Sequence, residues 1–212
     1  MARHTAGRNK KKRKPLSRAA RRAIMIGAGV LIMLVLVGSA IFFVTRFFGN
    51  TADDVQKLSY PREYSEYVDK AARDYDLEPA LIYAVIRTES HFDPNAKSNV
   101  GAYGIMQVMP ESFEWLMGLR GEEGKYTADD LLDPAVCIDY GSYLLRYFYD
   151  EYKDERCAVA AYNAGFVVGD WLQDPNCSPD GKTLEVIPYS ETSAYVDSVE
   201  AAKEKYEELY YR

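Results

Sequence analysis

The hydrophobic rhythm of the chain changes once, and that change divides it. Residues 23–45 carry no charge and are almost wholly apolar, with the unbroken run from Ile24 to Val37 followed by Gly38, Ser39, Ala40 and then Ile41, Phe42, Phe43 and Val44. A helix of about 20 such residues crosses a hydrocarbon core of roughly 30 Å. The pattern therefore predicts one transmembrane helix over 23–45. A cleaved secretory signal is the alternative, but it wants a shorter apolar run ending in small residues. Bulky residues stand at 41–44 instead.

Beyond residue 59 the apolar positions recur every three or four residues, the helical period. Pro61 precedes an amphipathic stretch over 63–75. Pro79 opens a second helix, with Leu81, Ile82, Val85 and Ile86 on one face, and Pro94 requires it to end near Asp93. Pro110 suits the first turn of a helix over 111–117. Thr127 and Asp130 form a capping pair. Asp133-Pro134 starts a long helix reaching about Tyr152. A helix over 155–164 is closed by Gly165, and Ser190 is placed to cap a last helix reaching about Tyr210. No credible run of alternating strand positions occurs. The expected fold is all-α, as one domain over 60–212 behind a short stalk at 46–59.

Charge sharpens this division. Residues 1–46 hold eleven Lys or Arg and no acid, whereas residues 47–212 hold fifteen basic and thirty-two acidic residues. A basic arm can bind nucleic acid. The adjoining apolar span gives residues 1–22 a simpler role, as a tail kept on the cytoplasmic side of a membrane. Everything after the span is then extracytoplasmic. Ten basic residues before the span also suit anionic lipid at the inner leaflet. Cys137, Cys157 and Cys177 lack metal-site spacing. Cys137 reads as a small core residue, and Cys157 and Cys177 as free thiols more readily than as a bridge. His4 and His91 are the only histidines, so zinc sites and Ser–His triads lack their parts.

Candidate chemistry gathers between Leu81 and Pro110. Glu89 lies near the C-terminal end of an apolar helix. Desolvation and the negative end of the helix dipole both raise the pKa of such a carboxyl. An acid kept protonated near neutrality is what general acid catalysis needs. Taken alone, Glu89 reads more readily as a solvated helix residue. The following loop, with Gly101, Gly104 and then Ile105-Met106-Gln107-Val108-Met109-Pro110, allows close backbone approach. Gln107 offers a donor and an acceptor suited to an acetamido group or a sugar hydroxyl. Met109 offers a soft apolar contact.

Four blocks in order resemble the soluble lytic transglycosylase family: Glu89-Ser90, Gly101 through Pro110, Ala161-Tyr162-Asn163-Ala164-Gly165, and Glu191-Thr192 with Tyr195-Val196. They span most of residues 65–200. The resemblance implies a lysozyme-like helical fold that acts on peptidoglycan strands between N-acetylmuramic acid and N-acetylglucosamine. It implies Glu89 as the single catalytic carboxylate. Ser98, Gln107 and Met109 would line the cleft, Tyr162 and Asn163 would form its opposite wall, and Tyr195 would bring its hydroxyl near Glu89. No metal or cofactor is implied, and no oligomeric state. Tyr103, where the family usually has a smaller residue, and Ser193, in place of a common Arg, depart from the pattern.

Most glycosidases use two carboxylates. Asp93 reads as a turn residue, Glu111 and Glu114 as first-turn helix residues, and Glu191 as part of the last block. The resemblance implies that Glu89 serves as acid and then base, with the muramic C6 hydroxyl attacking C1 to leave a 1,6-anhydro end. A hydrolytic goose-type muramidase is the nearest alternative. A non-catalytic glycan-binding scaffold is another, and retention of Glu89 argues against it.

Overall fold

The computed structural model describes residues 55–212, together with residues 18, 31, 33–44 and 46. Two compact units divide at Val55, one over Met1–Val55 and one over Gln56–Arg212. In the first, residues 33–44 are helical with exposed side chains, Phe42 and Phe43 among them. Among the described residues no helix is long and apolar enough to cross a membrane. The remainder of the expected span, and all of the basic tail except Arg18, lie outside the described residues. Of the expected stalk, residues 55–59 are helical and 47–54 lie outside the described residues.

The second unit is helical: α1 (Ser65–Tyr75), α2 (Pro79–Ser90), α3 (Pro110–Arg120), α4 (Pro134–Tyr152), α5 (Glu155–Ala164), α6 (Val168–Gln173) and α7 (Ser190–Tyr210). Two 3-10 turns, Ala128–Leu132 and Gly165–Val167, lie between them. Strand-like pairing among the described residues is confined to isolated bridges from Tyr103 to Lys97 and Val108.

The central element is α2. Ala80, Leu81, Ile82, Tyr83, Ala84, Val85 and Ile86 are all buried, so its first two turns are covered on every side, beyond the single apolar face expected from the sequence. A helix that is apolar all round belongs in a core. It packs chiefly against α7 and also against α1, while α4 packs against α1, α3 and α5. Its end follows from Phe92. His91 and Phe92 both take positive φ, 53° and 69°, which turns the chain back so that the Phe92 side chain is buried against Tyr83.

Most expected boundaries hold. The Asp133 side chain accepts from Ala135 N at 2.9 Å and caps α4, and the Asp154 side chain accepts from Cys157 N at 2.8 Å at the start of α5. Thr127 and Asp130 do form a capping pair, but it starts a 3-10 turn. Other boundaries differ. α1 begins at Ser65 because Tyr64 is left-handed, with φ 57°. α3 runs on to Arg120 and stops at Gly121, with φ 66°. Ser190 is the first residue of α7, not its cap. Cys137, Cys157 and Cys177 are buried free thiols.

Candidate active site

Glu89 projects from the last turn of α2, half-buried, and Tyr195 of α7 donates a hydrogen bond of 2.7 Å to its Oε1. The packing of α2 on α7 sets this pair. Burial pushes the Glu89 carboxyl up to about 7, and the Tyr195 bond opposes the rise without cancelling it. Taking a carboxylate out of water disfavours its charged form more than one hydroxyl donor restores it. Burial also holds the Tyr162 and Tyr195 phenols well above their usual value, and the charge on Glu89 adds to both effects. These three groups therefore share one environment.

The loop after α2 forms one side of the site, and its shape is held by main-chain bonds. Ser90 Oγ donates to Ile105 O at 2.7 Å, which ties the loop to the residue beside Glu89. Gly104 N donates to Ala96 O at 2.8 Å, and Tyr103 and Val108 exchange both main-chain bonds at 3.0 Å. Gly104 has φ +74°, and a Cβ there would lie 1.9 Å from Leu131 O. Only glycine fits, because both the conformation and the space exclude a side chain. Underneath, Met106 N donates to Cys137 Sγ at 3.4 Å, and the buried thiol faces Tyr103 O at 3.7 Å. Burial raises that thiol to about 12, which leaves it a protonated, inert core group.

The opposite side comes from α5 and α7. Tyr162 Oη donates to Met106 O at 2.8 Å, bracing the loop from across the site. Asn163 is exposed, and its Oδ1 accepts from the buried Thr192 hydroxyl at 2.7 Å, which joins the two helices.

Glu89, Tyr162 and Tyr195 are thus brought together with the Met106 carbonyl, and Asn163 is tied to α7 beside them. The others sit on the loop without a bond to Glu89. Ser98 Oγ accepts from Ala102 N at 2.9 Å and closes the turn at Gly101. Gln107, at φ 49°, uses its amide NH₂ to bond Gly104 O at 2.8 Å and Ala96 O at 3.2 Å. That donor holds the loop, and only the amide oxygen is left over from these two bonds. Met109 is half-buried at the cap of α3. The hydroxyls of Ser90 and Thr192 and the Met106 carbonyl were not singled out in the sequence. Their only signal was membership of the motif blocks, with no role attached.

Among the described residues, the shift of Glu89 follows from burial, which raises it, and from Tyr195, which lowers it. Asp93 is exposed and accepts from Asn95 N at 2.9 Å, as a turn residue does. Glu111, Glu114 and Glu191 are exposed.

A helical domain with a raised carboxyl held by Tyr195, beside a glycine-bearing loop braced by Tyr162, is a lysozyme-like arrangement. Residues 66–179 match the transglycosylase SLT domain, more than half of the chain, and the chain belongs to that family. It is 33% identical over 143 residues to a soluble lytic murein transglycosylase of Escherichia coli strain K12, covering 66% of this chain and 22% of that protein. It is 33% identical over 126 residues to a membrane-bound lytic murein transglycosylase C of Actinobacillus succinogenes, covering 54% of this chain and 35% of that protein. The crystal structure of the 70 kDa soluble lytic transglycosylase of Escherichia coli matches with a TM-score of 0.66 at 30% identity, over 73% of this chain and 25% of that one. An inactive Glu→Gln mutant of the lytic transglycosylase Slt from Pseudomonas aeruginosa matches with a TM-score of 0.63 at 30% identity, over 72% of this chain and 25% of that one. The chain therefore spans between 22% and 35% of the length of these relatives.

Proposed function

We propose that this chain is a peptidoglycan lytic transglycosylase, cleaving the β-1,4 bond between N-acetylmuramic acid and N-acetylglucosamine without water and leaving 1,6-anhydromuramic ends. The observation that carries this is Glu89, a lone carboxyl raised to about 7 and held through Oε1 by Tyr195. With Oε1 accepting from Tyr195, Oε2 is the atom available for proton transfer. A group whose pKa lies near the working pH can both give and take a proton.

The reaction then runs on one residue. Glu89, as the acid, protonates the glycosidic oxygen; the C1–O bond breaks and the leaving sugar keeps the electron pair as its 4-hydroxyl. The muramic acetamido oxygen stabilises the positive charge at C1. Glu89, now ionised, removes the proton from the muramic C6 hydroxyl, and O6 bonds to C1. The enzyme ends in its starting protonation state.

Tyr195 orients the acid. Met109, Ser98 and the amide oxygen of Gln107 line one side of the glycan groove, and Tyr162 and Asn163 form the other. That the Glu→Gln mutant of the Pseudomonas aeruginosa protein is inactive favours a single essential glutamate in the fold.

Residues 23–45 are read as a single transmembrane anchor, with 1–22 cytoplasmic, 46–59 a stalk and 60–212 the extracytoplasmic catalytic domain. The uncharged run behind a basic tail supports this, and the Actinobacillus succinogenes relative is described as membrane-bound. The partners are peptidoglycan strands and the bacterial membrane, not nucleic acid. Digesting purified peptidoglycan with the full chain and weighing the products tests the reading: anhydro ends support it, and free reducing ends, one water heavier, would make the enzyme a hydrolytic muramidase.

A further inference from the structure

The wall that carries Tyr162 and Asn163 continues through Ala164 and Gly165 into Phe166, whose side chain is 57% exposed. Phe166 lies 5.3 Å from the buried Phe148 ring and is flanked by Trp115 at 5.9 Å and Tyr147 at 6.1 Å. Trp115 and Tyr147 themselves meet edge to face at 4.7 Å. Leu119, one turn after Trp115 on α3, is also 50% exposed. Phe148 already fills the core beneath. Packing therefore does not require a further phenyl ring standing more than half in water, and contiguous exposed apolar surface marks contact sites.

Three chain segments connect this cluster to residues of the candidate site. The first runs from Tyr162, bonded to Met106 O, to Phe166. The second runs along α3 from Met109 to Trp115. The third runs along α4 to Tyr147 from Gly141, where an added Cβ would lie 2.7 Å from Met106 Sδ. The two helical paths each rise roughly 9 Å, at about 1.5 Å per residue, and the link from Tyr162 leaves the helix at Gly165, with φ 73°.

We propose that Phe166, flanked by Trp115 and Tyr147, is an aromatic platform on which the glycan strand stacks as it leaves the cleft, so that it selects for longer strands. This rests on the glycan-cleaving reading of Glu89. A pyranose presents a face of C–H groups, which suits the electron-rich face of an aromatic ring. Continuity with the cleft wall selects a glycan as the occupant over a lipid surface. The thirty-two acidic residues against fifteen basic ones after residue 46 also oppose docking on an anionic bilayer.

The test is binding of peptide-free glycan, as a disaccharide and as an octasaccharide, to the full chain carrying Glu89→Gln, with and without Phe166→Ala. The expected result is an octasaccharide affinity about threefold to tenfold lower in the Phe166→Ala form, disaccharide affinity unchanged, and recovery with Phe166→Trp. Equal octasaccharide binding with and without Phe166 overturns the platform, as does an equal loss for both lengths. If the otherwise native chain cuts peptidoglycan to anhydro ends and Phe166→Ala changes nothing, the platform alone falls. If the native chain neither binds nor cuts glycan, the functional reading falls with it.

Discussion

At Glu89 two influences oppose each other: burial raises the carboxyl to about 7, and the Tyr195 hydroxyl at 2.7 Å lowers it. Tyr195→Phe removes the lowering influence, so the Glu89 pKa should rise further. Because the acid form acts first, the basic limb of the kcat/KM profile should move to higher pH in the Phe variant, while kcat falls severalfold as the carboxyl loses its orientation. An unchanged limb would mean that the hydroxyl does not touch the acid in solution. The same shift bears on stability. A carboxyl whose folded pKa exceeds its ordinary 4.5 binds its proton more tightly in the folded state. Its contribution is fully present below about 4.5 and is lost as pH rises through about 7. Replacing Glu89 by Gln should remove that loss, so the variant should gain on the parent between these pH values by on the order of 2 kcal/mol, allowing for partial exposure. Chemical unfolding of both proteins at pH 4.5 and 8 measures the difference.

Among the elements, the loop between α2 and α3 depends most on single residues. Gly104→Ala places a Cβ 1.9 Å from Leu131 O at φ +74°. The expected cost is about 3 kcal/mol or more, with activity lost because the loop withdraws from Tyr162. A thermal melt close to that of the parent would show that the loop can shift without penalty. The helices were legible in the sequence because prolines, an Asp cap and apolar periodicity mark them: Pro79, Pro110, Asp133-Pro134 and Glu155 all fall at observed starts. The short α6 escaped notice, since a single turn around Val168 and Trp171 has too few periods to register. Of the candidate site, the nearness of the Tyr195 hydroxyl to Glu89 was implied by the resemblance and is observed. The work of Gln107 was not legible, because its amide closes onto Ala96 O and Gly104 O, a link that depends on a left-handed residue no periodicity signals. Likewise, the sequence gives no hint that Cys137 supports the loop from beneath, since that contact joins residues 31 positions apart.

For the whole molecule, the anchor and the catalytic domain make separate claims. If residues 23–45 span the membrane uncleaved, protease added to intact spheroplasts should remove the C-terminal domain and leave the basic tail protected inside; a mature secreted protein beginning near residue 41 would contradict the anchor. The central claim is that one carboxyl performs both proton transfers. General acid–base help is typically worth about 10² to 10⁴ in rate, and a residue serving both steps should stand at or beyond the upper end. The most direct test is mass spectrometry of peptidoglycan digested by the parent and by Glu89→Gln. The account predicts 1,6-anhydromuropeptides from the parent and only background from the variant, which should still bind glycan strands. Anhydromuropeptides released by the variant at a rate near that of the parent would contradict it.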